Sequence, residues 1–424
     1  MITEVKNANS FQKIEIPNDW EASKLDNVIN EMTDYVAAGS FESLRNNVNV
    51  IEGSGFAYYV RLTDLRLGLG HQEQKYVDEK SYTFLRKSNL FGNELLMANI
   101  GANVGETWLM PVINTPATIA PNMIVVKVDN NKLLPDFLFY YTHSPIGFSK
   151  LEELISGSGH PKINKGELKK LIVPLPTLPE QKAIAKLLST ADTAIHTTEK
   201  LIAQKELRKK WLMQQLLTGK KRLKEFGQEW KFVRFKEIYT QVKQKAGDEK
   251  FLVLSVTKDG IVSQAEYFNK EIASEDTSPY LVVRKGDMAM SGLNFWMGSI
   301  DVLVEYEIGM ISPAYKVFEI HNPEISAAFM KSFVRSEIML QCLIGSSVVG
   351  ASIVRRNLDR ETLDEWSFRM PSLEEQNAIA QLLHAADKEI ILLKAKAEKL
   401  REQKKGLMQV LLTGKVRLKI NERK

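Results

Sequence analysis

Two stretches of the chain carry buried-type residues at alternating steps of four and three. In the later one the series is Ile379, Leu383, Ala386, Ile390, Leu393, Ala397, Leu400, Lys404, Leu407 and Leu411. In the earlier one it is Ile184, Leu188, Ala191, Ile195, Thr198, Ile202, Lys205, Lys209, Leu212 and Leu216. A mean step of 3.5 residues is the seam of a coiled coil, so each stretch predicts one long helix. Pro179 with Glu180, and Pro371 with Glu375, suit helix starts. The sequence "LTGK" at both far ends supplies a terminating glycine followed by cations. Helices of this length span about 55–60 Å at 1.5 Å per residue. The earlier seam has a polar centre and is weak alone, so the two seams are expected to bury each other. Because the chain leaves one helix, builds a domain and returns, the expected pairing is antiparallel, with a globular domain at each end.

The two helices are copies. At a constant offset of 195, residues 176–224 and 371–419 share 25 of 49 positions without a gap. Identities gather at both ends, as "EQ.AIA.LL..AD..I" and "KK.LMQ.LLTGK.RLK", while 196–208 shares nothing with 391–403. The period is far too long for a solenoid repeat, so it marks a doubled module with pseudo-twofold symmetry. Before each helix lies a region, 18–175 or 228–370, in which short β-rich runs alternate with Gly, Asn and Pro: "GFAYYVRLTDLRLG", "NMIVVKVD", "SPYLVVRKGDM", "PAYKVFEI". Helical patterns there are shorter, as in "LPDFLFYYTHS" and "EISAAFMKSFVRSEIML". The expected class is mixed α/β, of α+β type, in two diverged copies. The expected boundaries are 1–175 and 221–370 for the domains, and 176–220 and 371–424 for the helices. Trp20 and Trp230 mark equivalent starts, and "ELLMANIGANVGETWLM" aligns with "DMAMSGLNFWMGSIDVL".

Charge sharpens this picture. The net charge is only +5, but residues 199–224 and 394–417 together carry +13 and the rest sums to −8. Such concentration points to phosphates or an acidic partner. The longest apolar runs are too short to span a membrane, and the N-terminus lacks signal-peptide order, so a cytoplasmic protein is expected. One cysteine, Cys342, and six histidines without metal-ligand spacing predict neither disulfide nor structural zinc.

A search for catalytic patterns finds no G-x-x-x-x-G-K-[ST] loop, no G-x-S-x-G elbow and no H-E-x-x-H pair. Pro135-Asp136 with Glu167-Leu168-Lys169 has the residue types of a metal-dependent nuclease. The duplication argues against it, because Leu168 aligns with Leu363 and puts Thr362 and Asp364 where the carboxylate and lysine belong. What recurs instead is a small, polar and basic loop shortly before each helix: "SGSGHPKINKGELKKLIVPLP" at 156–176 and "GSSVVGASIVRRNLDRETLDEWSFRMP" at 345–371. Gly and Ser allow close approach to phosphate, and His, Lys, Asn and Arg can reach phosphates and base edges.

The doubled "PLPTLPEQKAIAKLL…LLTGKKRL" and "MPSLEEQNAIAQLL…LLTGKVRL", each behind a divergent domain, resemble the specificity subunit of type I restriction-modification systems. "GSGHPKINKGELKKL", "GANVGE" and the Trp20 and Trp230 segments carry a looser match. The resemblance implies a non-catalytic subunit that binds double-stranded DNA, each domain reading half of a bipartite target and the helix pair fixing the unread spacer. It implies two modification subunits docked on the helices, using S-adenosylmethionine, and restriction subunits using ATP and Mg²⁺. No cofactor or metal is then expected in this chain. By residue type and loop position, the candidate DNA contacts of the first domain are Ser40, Arg45, Asn46, Arg61, Asn99, Asn103, Ser156, Ser158, His160, Lys162, Asn164 and Lys165. Those of the second are Lys258, Ser291, Asn294, Trp296, Ser346, Ser347, Arg355 and Arg356. The competing expectation is a coiled-coil scaffold without DNA readout.

Overall fold

In the computed structural model, which describes residues 2–3, 14–157, 159–257, 260–268, 276–352 and 355–419, contacts divide the chain into two units. One comprises Met1–Thr197 with Lys396–Lys424, the other Thr198–Ala395. The two long helices, Leu178–Leu216 and Leu373–Leu411, are 39 residues each and contribute to both units.

The first unit is built on a four-stranded antiparallel sheet in the order Thr107–Leu109, Leu95–Ala98, Met123–Val128, Ile29–Asp34. Its two central strands are almost wholly apolar because both faces are covered. Leu95, Met97, Ile124 and Val126 face the helix Pro135–His143, where Phe137, Leu138 and Tyr141 complete one core. Leu96, Met123 and Val125 point the other way, into a second core with Val60, Val77, Ala117 and Ile119. That second core belongs to a five-stranded sheet whose strands Ala57–Val60 and Ala117–Ile119 run parallel.

The second unit repeats the plan. Its antiparallel sheet runs Tyr239–Val242, Tyr315–Ile320, Met288–Ser291, Ile300–Val302. Met288, Met290 and Phe318 face the helical layer of Phe329, Met330 and Phe333. Ala289 and Val317 face a four-stranded sheet through Leu254, Val256, Val283 and Ile311. There Val253–Thr257 and Ile308–Ile311 form the parallel pair. In each unit a two-stranded ribbon ties the start of the domain to its exit: Glu21–Lys24 with Ile172–Leu175, and Lys231–Arg234 with Ser367–Met370.

Two local expectations differ from the structure. The run "GFAYYVRLTDLRLG" is strand only over Ala57–Val60 and turns helical over Leu62–Leu67, because Asp64 folds back on the amide and guanidinium of Arg61. The pattern "EISAAFMKSFVRSEIML" is two helices, Ala327–Phe333 and Glu337–Gly345, the second started by Ser336, whose hydroxyl accepts from the Met339 amide.

The duplicated helix ends have a shared purpose. In the first unit Glu180, 2% exposed, accepts hydrogen bonds from Trp20 Nε1 (3.2 Å) and from Arg417 Nε and Nη2 (2.5 and 2.7 Å). Arg417 also pairs with Asp19 at 2.7 Å and lies 5.4 Å over the Trp20 ring. In the second unit Glu375 accepts from Trp230 Nε1 (3.1 Å) and from Arg222 (2.5 and 2.6 Å), which lies 5.5 Å over Trp230. The neighbouring glutamines are equally alike. Gln181 Oε1 accepts from the Leu134 amide while its Nε2 donates to Lys132 O and Pro176 O. Gln376 does the same with Ser326, Glu324 and Pro371. So the glutamate of "EQ" at the start of one helix is held by the arginine of "TGK.R" from the end of the other, and the glutamine by backbone of the adjoining domain and of the residues leading into its own helix. Gly219 and Gly414 turn the chain at φ 70° and 69°, and a Cβ on Gly414 would lie 2.4 Å from Pro17.

Within each unit the helix segments run antiparallel. Lys205 pairs with Glu389 at 2.5 Å, Lys209 with Asp387, and Lys394 with Glu206 at 2.7 Å in the second unit. Lys404 pairs with Asp192 at 2.5 Å in the first, repeating the Lys209 pair. The lysines of the seam are thus ion-paired, and its threonine, Thr198, is buried. Of the apolar seam, Ile184, Leu188, Leu216, Ile379, Leu383, Ile390, Ala397 and Leu411 are buried, and Ala191, Ile195, Ile202, Leu212, Ala386, Leu393, Leu400 and Leu407 are half-buried.

Candidate nucleic-acid interface

In the first unit the turn after Leu95–Ala98 and the loop after the helical layer are stitched together. The Gly101 amide donates to Pro161 O (2.9 Å) and the Ile163 amide to Asn99 O (3.0 Å), and Ile100 bridges Lys162. Ser156 and Lys162 exchange two backbone bonds of 2.9 Å, closing the loop on itself, and Ile163 anchors it in the core. This leaves Ser156, His160, Lys162 and Asn164 exposed on one small platform with Asn103 half-buried beside them. Asn164 Oδ1 caps the helix Lys165–Leu168 by accepting from the Glu167 amide at 2.9 Å. Lys165 pairs with Asp34 at 2.9 Å. Asn99 Oδ1 is buried without a partner among the described residues, and Ser158 lies outside them.

The other first-domain candidates stand on the second sheet. Ser40 caps the helix Phe41–Asn47, accepting from the Ser43 amide, and Arg45 and Asn46 are exposed along it. Arg61 has three donors occupied: Nε and Nη2 hold Asp64 at 3.0 and 2.6 Å, and Nη2 also meets Glu73 O at 2.7 Å. His71 Nε2 adds a contact of 2.8 Å to the same carboxylate, which is fully buried. Burial pushes the Asp64 carboxyl upward, but the bonds from Arg61 and His71 outweigh it and hold it below the ordinary range. Sequence reasoning passed over Asp64 and His71; the three-residue spacing of Arg61 and Asp64 was their signal.

The equivalent place in the second unit joins the turn after Met288–Ser291 to the hairpin Ser347–Ser352 with Arg355–Leu358. Ser291 Oγ accepts from the Leu293 and Asn294 amides at 3.3 and 3.1 Å, shaping the turn from which Asn294 projects into solvent. Trp296 carries the Arg356 guanidinium 4.4 Å over its ring, and Arg356 Nη1 donates to Ser347 Oγ at 3.0 Å. Ser347 Oγ donates in turn to Ile344 O at 2.7 Å. Ser346 is fully buried, where loop chemistry alone put it on the surface: its amide closes the helix Glu337–Gly345 on Cys342 O, and its carbonyl accepts from the Asp359 amide. Lys258 lies outside the described residues, and Arg355 is described only as a strand position facing Ser352.

The strands that lead into both turns begin, at their far ends, beside a carboxylate that fixes the backbone. Glu94 accepts from the Phe91 and Gly92 amides, each at 2.8 Å, and Asp287 from the Arg284 amide at 2.8 Å. Burial pushes the Asp287 carboxyl up to about 6. The nuclease-like residues are otherwise engaged: Lys169 pairs with Asp26 at 2.8 Å and Lys170 with Glu167 at 2.8 Å. No group of three or more His, Cys, Asp and Glu suited to a metal occurs among the described residues.

Residues 17–206, which contain the whole first platform, match the family described as the type I restriction modification DNA specificity domain. The matched stretch takes in the first domain and most of the first long helix. It is similar to the type I restriction enzyme MjaVIII specificity subunit of Methanocaldococcus jannaschii, with 24% identity over 444 residues covering 98% of this chain and 97% of that one. The putative type I restriction enzyme MjaX specificity subunit of the same organism is 24% identical over 437 residues, covering 96% and 95%. Among solved structures, the type I system S subunit from M. genitalium superposes with a TM-score of 0.55 at 16% identity, covering 97% of this chain and 99% of that one. The HsdS subunit from Thermoanaerobacter tengcongensis gives 0.52 at 14% identity, covering 97% and 100%. These specificity-subunit structures share the fold described above. Among the described residues no helix is long and apolar enough to cross a membrane.

Proposed function

We propose that this chain is a type I specificity subunit, a non-catalytic reader of double-stranded DNA in which each domain recognises one half of a bipartite target. The observation that carries the reading is the recurrence of one device in two diverged domains: a turn after the inner sheet strand, stitched or stacked onto the loop that precedes a long helix. A core has no need of polar side chains at such a place, whereas base edges and phosphates do. The helix pair then acts as a ruler for the spacer and as the dock for two modification subunits. Adenine methylation with S-adenosylmethionine belongs to those subunits, and ATP- and Mg²⁺-dependent cleavage to restriction subunits, so this chain holds no cofactor of its own and works in the cytoplasm. The basic stretches 199–224 and 394–417 supply non-specific attraction to the duplex or to acidic faces of the partners.

The test is a genome-wide map of methylated adenine in cells with and without the gene, the modification subunit being retained. The reading predicts loss of one split motif, two short defined halves around an unspecified spacer. An unchanged map, from a complex shown to assemble, supports the scaffold instead.

A further inference from the structure

The two platforms differ in surface chemistry. In the first, the side chains reaching solvent beyond the stitched backbone are the polar His160, Lys162 and Asn164 with a single large apolar one, Ile100, 42% exposed. In the second, the turn and hairpin hold out Met297 and Val349, each 62% exposed, Val348 at 55% and Leu293 at 50%. Exposed apolar side chains grouped on one loop pair call for an apolar partner surface. Leu293, Met297 and Val349 share this loop pair with a fixed cation, Val348 alternating to the other hairpin face: Arg356, half-buried, is stacked on Trp296 and tethered through Nη1 to Ser347, so its guanidinium has little freedom to lose. Val349 lies directly opposite Arg356 in the hairpin register, so the valine and the guanidinium leave the same face.

We propose that the second domain reads thymine through its 5-methyl group, by contact with Met297, Leu293 and Val349, next to a guanine taken by Arg356. In the major groove the thymine methyl is the one apolar feature of a base-pair edge, and guanine O6 and N7 are the acceptors that suit an arginine. The one duplex surface that offers both within neighbouring base pairs matches an apolar cluster that shares its loop pair with a single oriented guanidinium. The first platform, with its lysine, histidine and asparagine, reads hydrogen-bonding edges and phosphates instead. This inference rests on the DNA-reading role proposed above.

The experiment uses the assembled complex of this chain with its modification subunits. Duplexes bearing the mapped motif are made with deoxyuridine for thymidine in one half at a time, which removes only the methyl. The second domain's half is identified as the one left unchanged when loop 156–165 is exchanged. Expected is a loss of affinity of about fourfold per methyl in that half, with no loss for the same replacement in the other half. Met297→Ala and Leu293→Ala should erase the difference between thymidine and deoxyuridine, and Arg356→Ala should relax one guanine position. Equal affinity for both duplexes, or a second half-site without thymine, overturns the inference. The deoxyuridine comparison needs no variant, so a substitution that impairs folding does not spare the idea. Absence of any split motif sinks the DNA-reading role itself, whereas a split motif indifferent to the methyl sinks only this reading of it.

Discussion

Arg417 and Arg222 each neutralise a buried glutamate, stack over a tryptophan and hold the end of one helix against the start of the other. Removing one partner of a buried ion pair costs about 3–5 kcal/mol. The Arg417 side chain is 38% exposed, so water re-solvates part of what is lost, and about 2 kcal/mol is expected for Arg417→Ala. Denaturant unfolding should show this loss, and Glu180→Gln on top of Arg417→Ala should recover part of it by removing the stranded charge. Asp287 gives a pH signature. Its carboxyl is raised from 3.8 to about 6 in the fold, so the folded state binds the proton more tightly. That contribution to stability is present at low pH and is lost as pH rises through about 6. Asp287→Asn keeps an acceptor for the Arg284 amide and should raise the melting temperature near pH 7 while leaving it unchanged near pH 4; a parallel pH profile for both proteins would contradict the assignment. At this scale the sequence showed residue types but not their employment. Arg61 and Ser346 look like surface groups until Asp64 and Cys342 O are seen to claim them, and such pairings depend on folded geometry.

At the scale of elements, the long helices were legible because their period survives divergence. Alternating steps of four and three located every seam position on the inner side of its helix segment. The seam alone missed Ala185, Leu217, Ala380, Met408 and Leu412, all buried. Those residues pack against the domains as well as the partner helix, so the covered stripe is wider than a two-helix seam requires. The stitching of residues 99–105 to 156–163 was illegible because backbone hydrogen bonds between distant loops leave no residue-type pattern. A ruler made of these helices has a measurable grain. Seven residues added to each helix, near Gln204 and near Leu392, preserve the heptad phase and lengthen the pair by about 10 Å. The methylated motif should gain about three base pairs of spacer, at about 3.4 Å each, with both halves unchanged. A constant spacer would show that something other than the helices sets the distance.

For the whole molecule, the duplication was plain from the sequence while the domains' detailed topology was not. The helix copies share 25 of 49 positions, and the domains keep the antiparallel sheet order, a parallel strand pair, the start-to-exit ribbon and the contacts to the helix glutamines in common. On the proposed reading, side chains that meet base pairs diverge to read different sequences, whereas the glutamate–glutamine clamps meet the same Trp and Arg side chains and equivalent backbone groups in both units and stay fixed. The central claim is that the domains read separate halves of one target through their loops. Its most direct measurement is the methylated motif of the complex after loop 156–165 is replaced by the corresponding loop of another specificity subunit. The account predicts that one half of the motif changes while the other half and the spacer stay as they were. An unaltered motif, or a change in both halves with the complex intact, would contradict it.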